Sequence, residues 1–403
     1  FTDLTEPHAA LLARSRPNER TVLLSAPAYG RAFPDAHRAL VRTIEEIQGL
    51  ALLRRNSVAE RSALLTERAL ENLPRLAALP TLDRLGRPLD GVPAFIVAAG
   101  PSLDRNRALL PAAARRGAVL AVNTSAPAVA AVPAPIDLLV AIEALDVSEP
   151  MRLAAPVTRA LALDLTAGAP NFDVGVERKV LFWADTPQHT ALAPALGIGT
   201  LGYGGSVATA AFAVAAALGA DPIVLLGQDL AYTDGRGYAS DTLFTETTVR
   251  RVGDQLVLER AAKWEEITRN GGLRVPGKVR PCVEVPAWGG GTVNSTHELT
   301  LFRRWFEMAG RQLKGRRRLV NATEGGASIA GFEETRLDAL LAELPERSHE
   351  LHAALADAAP LDPERVRAVA ADVATSSERL ARAAARCLRA SKQGDRRAVA
   401  RAS

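Results

Sequence analysis

The stretch GQDLAYTDGRGYASDT, residues 227–242, sets three aspartates, two tyrosines and three glycines directly behind an apolar run, DPIVLLG. Tyr232 and Tyr238 stand six positions apart in a loop that Gly235 and Gly237 let bend. A buried tyrosine needs a partner for its hydroxyl, and a ligand oxygen would serve, although ordinary packing explains the pair slightly better when it is taken alone. Three further segments carry the same kind of chemistry. In IVAAGPSLD (96–104) a strand-like run stops at Gly100 and Pro101, and Ser102 or Asp104 is placed to cap a helix. Backbone N–H groups at such a turn face whatever lies beyond the strand, and the start of a helix favours an anion. The pattern is neither G-x-G-x-x-G nor a P-loop, whose lysine is missing. AVNTSAP (121–127) offers Asn123, Thr124 and Ser125 at the end of the next run. LGYGGSVATAA (201–211) brings Gly204 and Gly205 for close backbone approach, with Ser206 at the helix start. Each segment alone is explained by capping; three in one sheet suggest a nucleotide or a phosphorylated ligand.

Of the six histidines, five fall where no other site chemistry gathers. His297 differs. It follows a glycine-rich turn in GGGTVNSTHELTLFRRWFEMAG (289–310), at a helix start that Asn294, Ser295 or Thr296 would cap. That makes it the best candidate for a base working near neutral pH. Acidic residues near strand ends are Asp137, Glu143, Asp146, Asp229 and Asp234. None joins a His/Cys/Asp cluster at metal spacing, so no structural metal is expected, while magnesium carried in on a nucleotide stays open.

These residues need elements to position them. From 94 onward short apolar runs recur: AFIVAAG, GAVLAVN, IDLLVAIE, KVLFWAD and DPIVLLG, with RRLVNA (317–322) later. Helical stretches at 104–116, 124–131 and 206–219 separate several of them. Continuous apolar strands alternating with helices predict an α/β, Rossmann-like, doubly wound and mostly parallel sheet, with ligands beyond the carboxyl ends of its strands. N- and C-terminal helical regions flank it. Leucines three and four apart predict helices over 36–55 and 58–79, and GRPLDGVP (86–93) reads as a linker. The division expected is therefore a helical region at 1–90, a Rossmann-like domain at 91–331 and a helical region at 332–403.

The chain's 403 residues suffice for two or three domains. Its longest apolar stretch, VATAAFAVAAALGA, has 14 residues, short of the roughly 18 that span a membrane. The first residues lack the plan of a secretory signal, and Cys282 and Cys387 form neither a disulfide framework nor a metal site, so the cytoplasm is the expected location. The net charge of +4 is mild, and the one dense basic run, Arg316 to Arg318, reads as a solvated strand entrance. Without interleaved basic and aromatic residues, nucleic acid is not an expected partner.

Three segments, in order, carry a resemblance: PAFIVAAGPSLD (93–104), GGSVATAAFAVAAALGADPIVLLGQDLAYTDGRGY (204–238) and NATEGGASIAG (321–331). Over about residues 50–335 the chain resembles the motility-associated-factor (Maf) glycosyltransferases, which modify bacterial flagellin with nonulosonic, sialic-acid-like sugars. Its centre is also similar to a bacterial sialyltransferase family, through the Gly-Pro-Ser-Leu turn and the tyrosine loop. The resemblance implies a metal-independent, inverting transfer from a CMP-activated sugar to a protein Ser or Thr hydroxyl, with flagellin the expected acceptor and no cofactor beyond the CMP-sugar co-substrate. It implies that Tyr232 and Tyr238 hold the leaving phosphate and that His297 is the base. Gly100, Pro101 and Ser102 would line the nucleotide site with Asn123 and Asp229, while Gly205 and Ser206 would meet the cytidine or the sugar carboxylate. Tyr238 matches the sialyltransferases where many Maf sequences have histidine. Two alternatives stand beside this reading. One is an ATP-dependent enzyme like the archaeal pterin pyrophosphokinases, with acidic metal ligands around Asp229 and Asp146. The other is a non-catalytic flagellar or envelope binding protein.

Overall fold

A computed structural model describes residues 62–185, 187–242, 244–259 and 278–392, with shorter pieces between 28 and 44. Eight parallel strands form the central sheet, in the order β13-β12-β6-β1-β2-β3-β4-β5. They are β1 (Ala94–Val97), β2 (Ala118–Val122), β3 (Leu138–Ala141), β4 (Ala160–Asp164), β5 (Arg178–Phe182), β6 (Ile223–Leu226), β12 (Leu319–Asn321) and β13 (Glu333–Glu334). In β1, β2, β3, β4 and β6 every residue is buried, because both faces of the sheet are covered.

Side chains alternate between two cores. Phe95, Val97 and Val119 point to one face, where they meet Leu103, Leu110, Val129 and Met151 from the crossovers between β1 and β4. Ile96, Leu120 and Val140 point to the other face, against Ala210, Phe212 and Val214. Crossover handedness explains the division. The chain steps β1 to β5 in one direction, so right-handed crossovers stack those helices on one face. It then returns to β6 on the far side of β1, which puts helix Val207–Ala217 on the other face. The strands therefore part direction between β1 and β6, and their carboxyl ends open a crevice there.

The doubly wound expectation holds. Strand β4 was not among the expected runs: ALALD mixes Ala and Leu without β-branched residues and reads equally as helix. Between β6 and β12 the chain builds two small antiparallel sheets that the sequence did not signal. One comprises β7 (Thr248–Val252), β8 (Gln255–Glu259) and β9 (Lys278–Pro281); the other pairs β10 (Val283–Pro286) with β11 (Thr292–Ser295). In the first, Val249, Leu256 and Leu258 face inward while Val252 and Val279 face solvent.

Of the expected N-terminal helices, the second is seen at 62–72 and tightens into a 3-10 turn at Leu73–Ala77, where Pro74 interrupts it. The helix expected at 36–55 lies largely outside the described residues. At the C-terminus, helices Leu337–Glu343, Leu351–Asp357 and Pro363–Lys392 follow β13. Leu337 and Leu340 join one core, Leu351 and Leu355 the other, and Val366 the first again, so this segment wraps the sheet. Among the described residues no helix is long and apolar enough to cross a membrane.

Candidate functional site

A cavity of about 340 Å³ opens at the carboxyl ends of β1, β2 and β6. Its floor is the turn after β1, including Ala98, Ala99 and Gly100, and the turn after β6, Gly227 to Tyr232. Gly100 N–H donates to Gly227 O at 2.7 Å, which locks the two turns together. A Cβ at position 100 would stand 2.1 Å from Asp229 Oδ1 and 2.5 Å from Gly227 O, so only glycine fits.

Asp229 is the pin of this floor. It is fully buried and accepts from the Ser102 hydroxyl at 2.6 Å, the Ser102 N–H at 3.2 Å and the Thr233 hydroxyl at 2.6 Å. Burial pushes its carboxyl above the ordinary value, against the pull of these hydrogen bonds. The motif at 321–331 supports it from behind. Ala327 N–H donates to Asp229 O at 2.7 Å, and Thr323 Oγ1 accepts from Gln228 N–H at 3.2 Å. The role of this motif is thus to brace the loop.

The tyrosine loop is tied at both ends. Arg236 donates to Asp104 Oδ2 at 2.7 Å, and the Ser240 N–H and hydroxyl reach the same carboxylate at 3.0 and 2.9 Å. Burial alone would raise the Asp104 pKa, but these bonds outweigh it and hold the carboxyl below its usual value. Ala239 N–H donates to Ala99 O at 2.9 Å. Tyr238, packed on Phe244 with ring centroids 5.0 Å apart, is carried between these ties to the cavity wall. Tyr232 also lines the cavity; its N–H donates to Asn294 O at 2.9 Å and its hydroxyl bonds the Thr296 side chain. Burial, with the nearby Tyr238 and Glu298 adding to it, pushes the Tyr232 hydroxyl up to about 12. It therefore stays a protonated donor at neutral pH.

Two helix starts face the same space. Ser206 caps helix Val207–Ala217, accepting from Thr209 N–H at 3.3 Å, while Thr209 Oγ1 accepts from Ser206 N–H at 3.2 Å. That reciprocal box satisfies two of the four orphan donors at the helix start, and those of Val207 and Ala208, at the cavity wall, remain. Thr296 caps helix His297–Leu313 through Leu299 N–H at 3.4 Å. Gly204 lets the two helices meet, since a Cβ there would stand 2.6 Å from Trp305 Cγ. Trp305, Phe306 and Phe212 complete the joint edge to face, with centroids 5.3 to 5.8 Å apart.

The structure brings Gly100, Ser206, Asp229, Tyr232 and Tyr238 to the cavity wall. Pro101, Ser102, Asn123, Gly205 and His297 do not line it. Ser102 is buried and turned to Asp229; Asn123 is buried beside Thr124, which does line the wall. His297 lies in the first turn as expected, but its side chain is exposed and outside the wall. The expected caps need correction at two of the three helix starts. Ser102 gives its hydroxyl to Asp229, Asp104 turns to Ser240 and Arg236, and Ser125 bonds back to Val97 O at 2.6 Å, so none caps its own helix. Gln228, Arg280 and Glu298, which no sequence motif marks, also stand on the wall. Arg280 and Leu258 point inward from the three-stranded sheet, and no strand signal at 248–281 had marked their direction. Among the described residues no group of three or more His, Cys, Asp or Glu is placed to hold a metal ion.

Residues 67–235 match the family model described as 6-hydroxymethylpterin diphosphokinase MptE-like. That span covers β1 to β6 and ends within the tyrosine loop. Among solved structures the chain is similar to a MAf glycosyltransferase from Magnetospirillum magneticum AMB-1, with 17% sequence identity and a TM-score of 0.47. The alignment covers 79% of this chain and 45% of that one, so this chain spans less than half of that structure's length. No curated protein matches the sequence.

Proposed function

We propose that this cavity binds a CMP-activated nonulosonic sugar and that the protein is a glycosyltransferase. The acceptor in this reading is a protein Ser or Thr hydroxyl, flagellin first among candidates. One observation carries the reading: two tyrosines and two helix N-termini line a single crevice at the switch point of a parallel sheet. A tyrosine hydroxyl and a first-turn N–H can each donate a hydrogen bond, and both tyrosines are held by packing and by the ties of their loop. Leaving of CMP builds negative charge on its phosphate as the bond to the sugar carbon breaks. Pre-set phenol and N–H donors act where that charge develops, which is where electrostatic catalysis is strongest. Tyr232, held protonated, and Tyr238 are assigned to the phosphate; Ser206 and the N–H groups behind it are assigned to an anionic group of the donor. The reading needs no divalent metal, because these donors neutralise the leaving group, and the transfer inverts the sugar carbon by direct displacement.

The match of residues 67–235 favours a second reading, pyrophosphoryl transfer from ATP to a pterin. The carboxylates nominated for its magnesium fit poorly. Asp229 is saturated by Ser102 and Thr233, and Asp146 accepts from Ser148 at 2.6 Å and lies off the cavity wall.

The test is turnover. With EDTA present, the protein is expected to release CMP from CMP-pseudaminate, CMP-legionaminate or CMP-N-acetylneuraminate. Tyr232→Phe with Tyr238→Phe should lower that release by about 10²-fold or more, the scale of losing a fixed charge-stabilising donor. Unchanged release in the double variant removes the phosphate role. Consumption of ATP with 6-hydroxymethylpterin and magnesium, and of no CMP-sugar, selects the second reading.

A further inference from the structure

Resting on the transferase reading, we infer that Glu298, and not the neighbouring His297, is the base that activates the acceptor hydroxyl. The ionisable side chains on the described cavity wall are Asp229, Tyr232, Tyr238, Arg280 and Glu298. An acceptor hydroxyl must lose its proton as it attacks the sugar, so one of these groups, or solvent, takes it. Asp229 is fully buried, with its carboxylate engaged by Ser102 and Thr233. Tyr232 is a protonated donor, bonded to Thr296, and Tyr238 serves the phosphate in the same reading. Arg280 offers only N–H donors and no acceptor for a proton. Glu298 is left, a carboxylate that is exposed, lines the cavity and makes no hydrogen bond or ion pair with a described residue.

Its place in the helix explains how it comes to face the wall. Thr296 is the N-cap, and the next residues around the first turn are His297, Glu298 and Leu299. Thr296, Glu298 and Leu299 reach the cavity, whereas His297 turns to solvent. Glu298 lies close enough to Tyr232 to act on its hydroxyl electrostatically, and Arg280 acts on the same hydroxyl with opposite sign. The wall thus holds a cation for the anionic donor and a free carboxylate within one neighbourhood. An approaching hydroxyl would pass its proton to a Glu298 oxygen as its own oxygen forms the new bond to the sugar carbon. The electron pair of the breaking bond leaves on the phosphate of CMP, and the charges balance.

The experiment compares Glu298→Gln, His297→Ala and the wild type with the three CMP-sugars named above, reading CMP released with water as acceptor. Thermal stabilisation by CMP is measured in parallel. Glu298→Gln should lose at least about 10²-fold in release, the lower end of general-base contributions, while keeping the CMP-induced rise in Tm. Glu298→Asp should recover part of the loss. Wild-type release from Glu298→Gln, or a large loss confined to His297→Ala, overturns the assignment while leaving the transferase reading intact. If the wild type releases CMP from none of the three sugars, the transferase reading falls, and this inference with it.

Discussion

Gly100 shows how tightly single residues are specified at the crevice. The space a methyl group would need is already filled by Asp229 Oδ1 and Gly227 O, both parts of the pinned floor. Gly100→Ala must therefore push the β1 and β6 turns apart. Such overpacking is expected to cost about 3 kcal/mol of unfolding free energy, the upper end for an inserted methyl group, and to remove nucleotide-induced stabilisation. Urea unfolding with and without CMP measures both; a variant with wild-type stability would contradict the locked geometry. At this scale the sequence was partly legible. Tyr232, Tyr238 and Ser206 announced themselves because a glycine loop or a cap signal beside a strand end fixes where they stand. Glu298 and Arg280 gave no such signal. A glutamate in a first helical turn is ordinary, and the direction of Arg280 is set by pairing with β8, which no local pattern revealed.

Among elements, helix Val207–Ala217 carries the most consequence. Thr209 is fully buried, so its N–H depends on Ser206 for a partner. Ser206→Ala should cost about 1 kcal/mol, the usual loss of a cap, visible as a lowered urea midpoint. Because the same substitution leaves the helix start less ordered, CMP stabilisation should shrink with it. An unchanged midpoint would mean that the box carries no weight. The parallel strands were legible because each is buried on both faces and reads as an unbroken apolar run. The small antiparallel sheets were not. Their outward residues, among them Arg250, Val252 and Val279, mix charged and apolar types, so the period-two signal is lost. The Ala-Leu composition of β4 hid that strand in the same way, by failing to separate strand from helix.

The molecule as a whole is held closed from its C-terminal side. Asp137, at the entrance to β3, is 1% exposed and accepts from Val119 N–H at 2.9 Å and from Arg159 at 2.8 Å. His352 Nε2 stands 3.2 Å and His349 Nε2 3.6 Å from the same carboxylate, which binds the wrapping segment to the sheet. These histidines gave no sign of a partner in the sequence, since Asp137 lies more than two hundred positions away. Burial would raise the Asp137 pKa, but the close imidazole of His349 and the hydrogen bonds from His352 and Val119 outweigh it and hold the carboxyl well below its usual range. A carboxyl whose folded pKa is depressed binds its proton more readily when unfolded. Its contribution is complete above the ordinary value of about 3.9 and is lost as pH falls below that. Stability measured from pH 6 to pH 2 should therefore drop along an acid limb that Asp137→Asn flattens. Parallel limbs in the two proteins would contradict the linkage.

The crevice between β1 and β6 is proposed to receive a cytidine nucleotide without needing a metal. Thermal unfolding with CMP, CDP, ATP and UDP, each with EDTA and with magnesium, tests it most directly. A rise in Tm with CMP that EDTA leaves unchanged is expected, since a ligand bound only by the native state stabilises it by mass action. A rise confined to ATP with magnesium, and none with CMP, would contradict it.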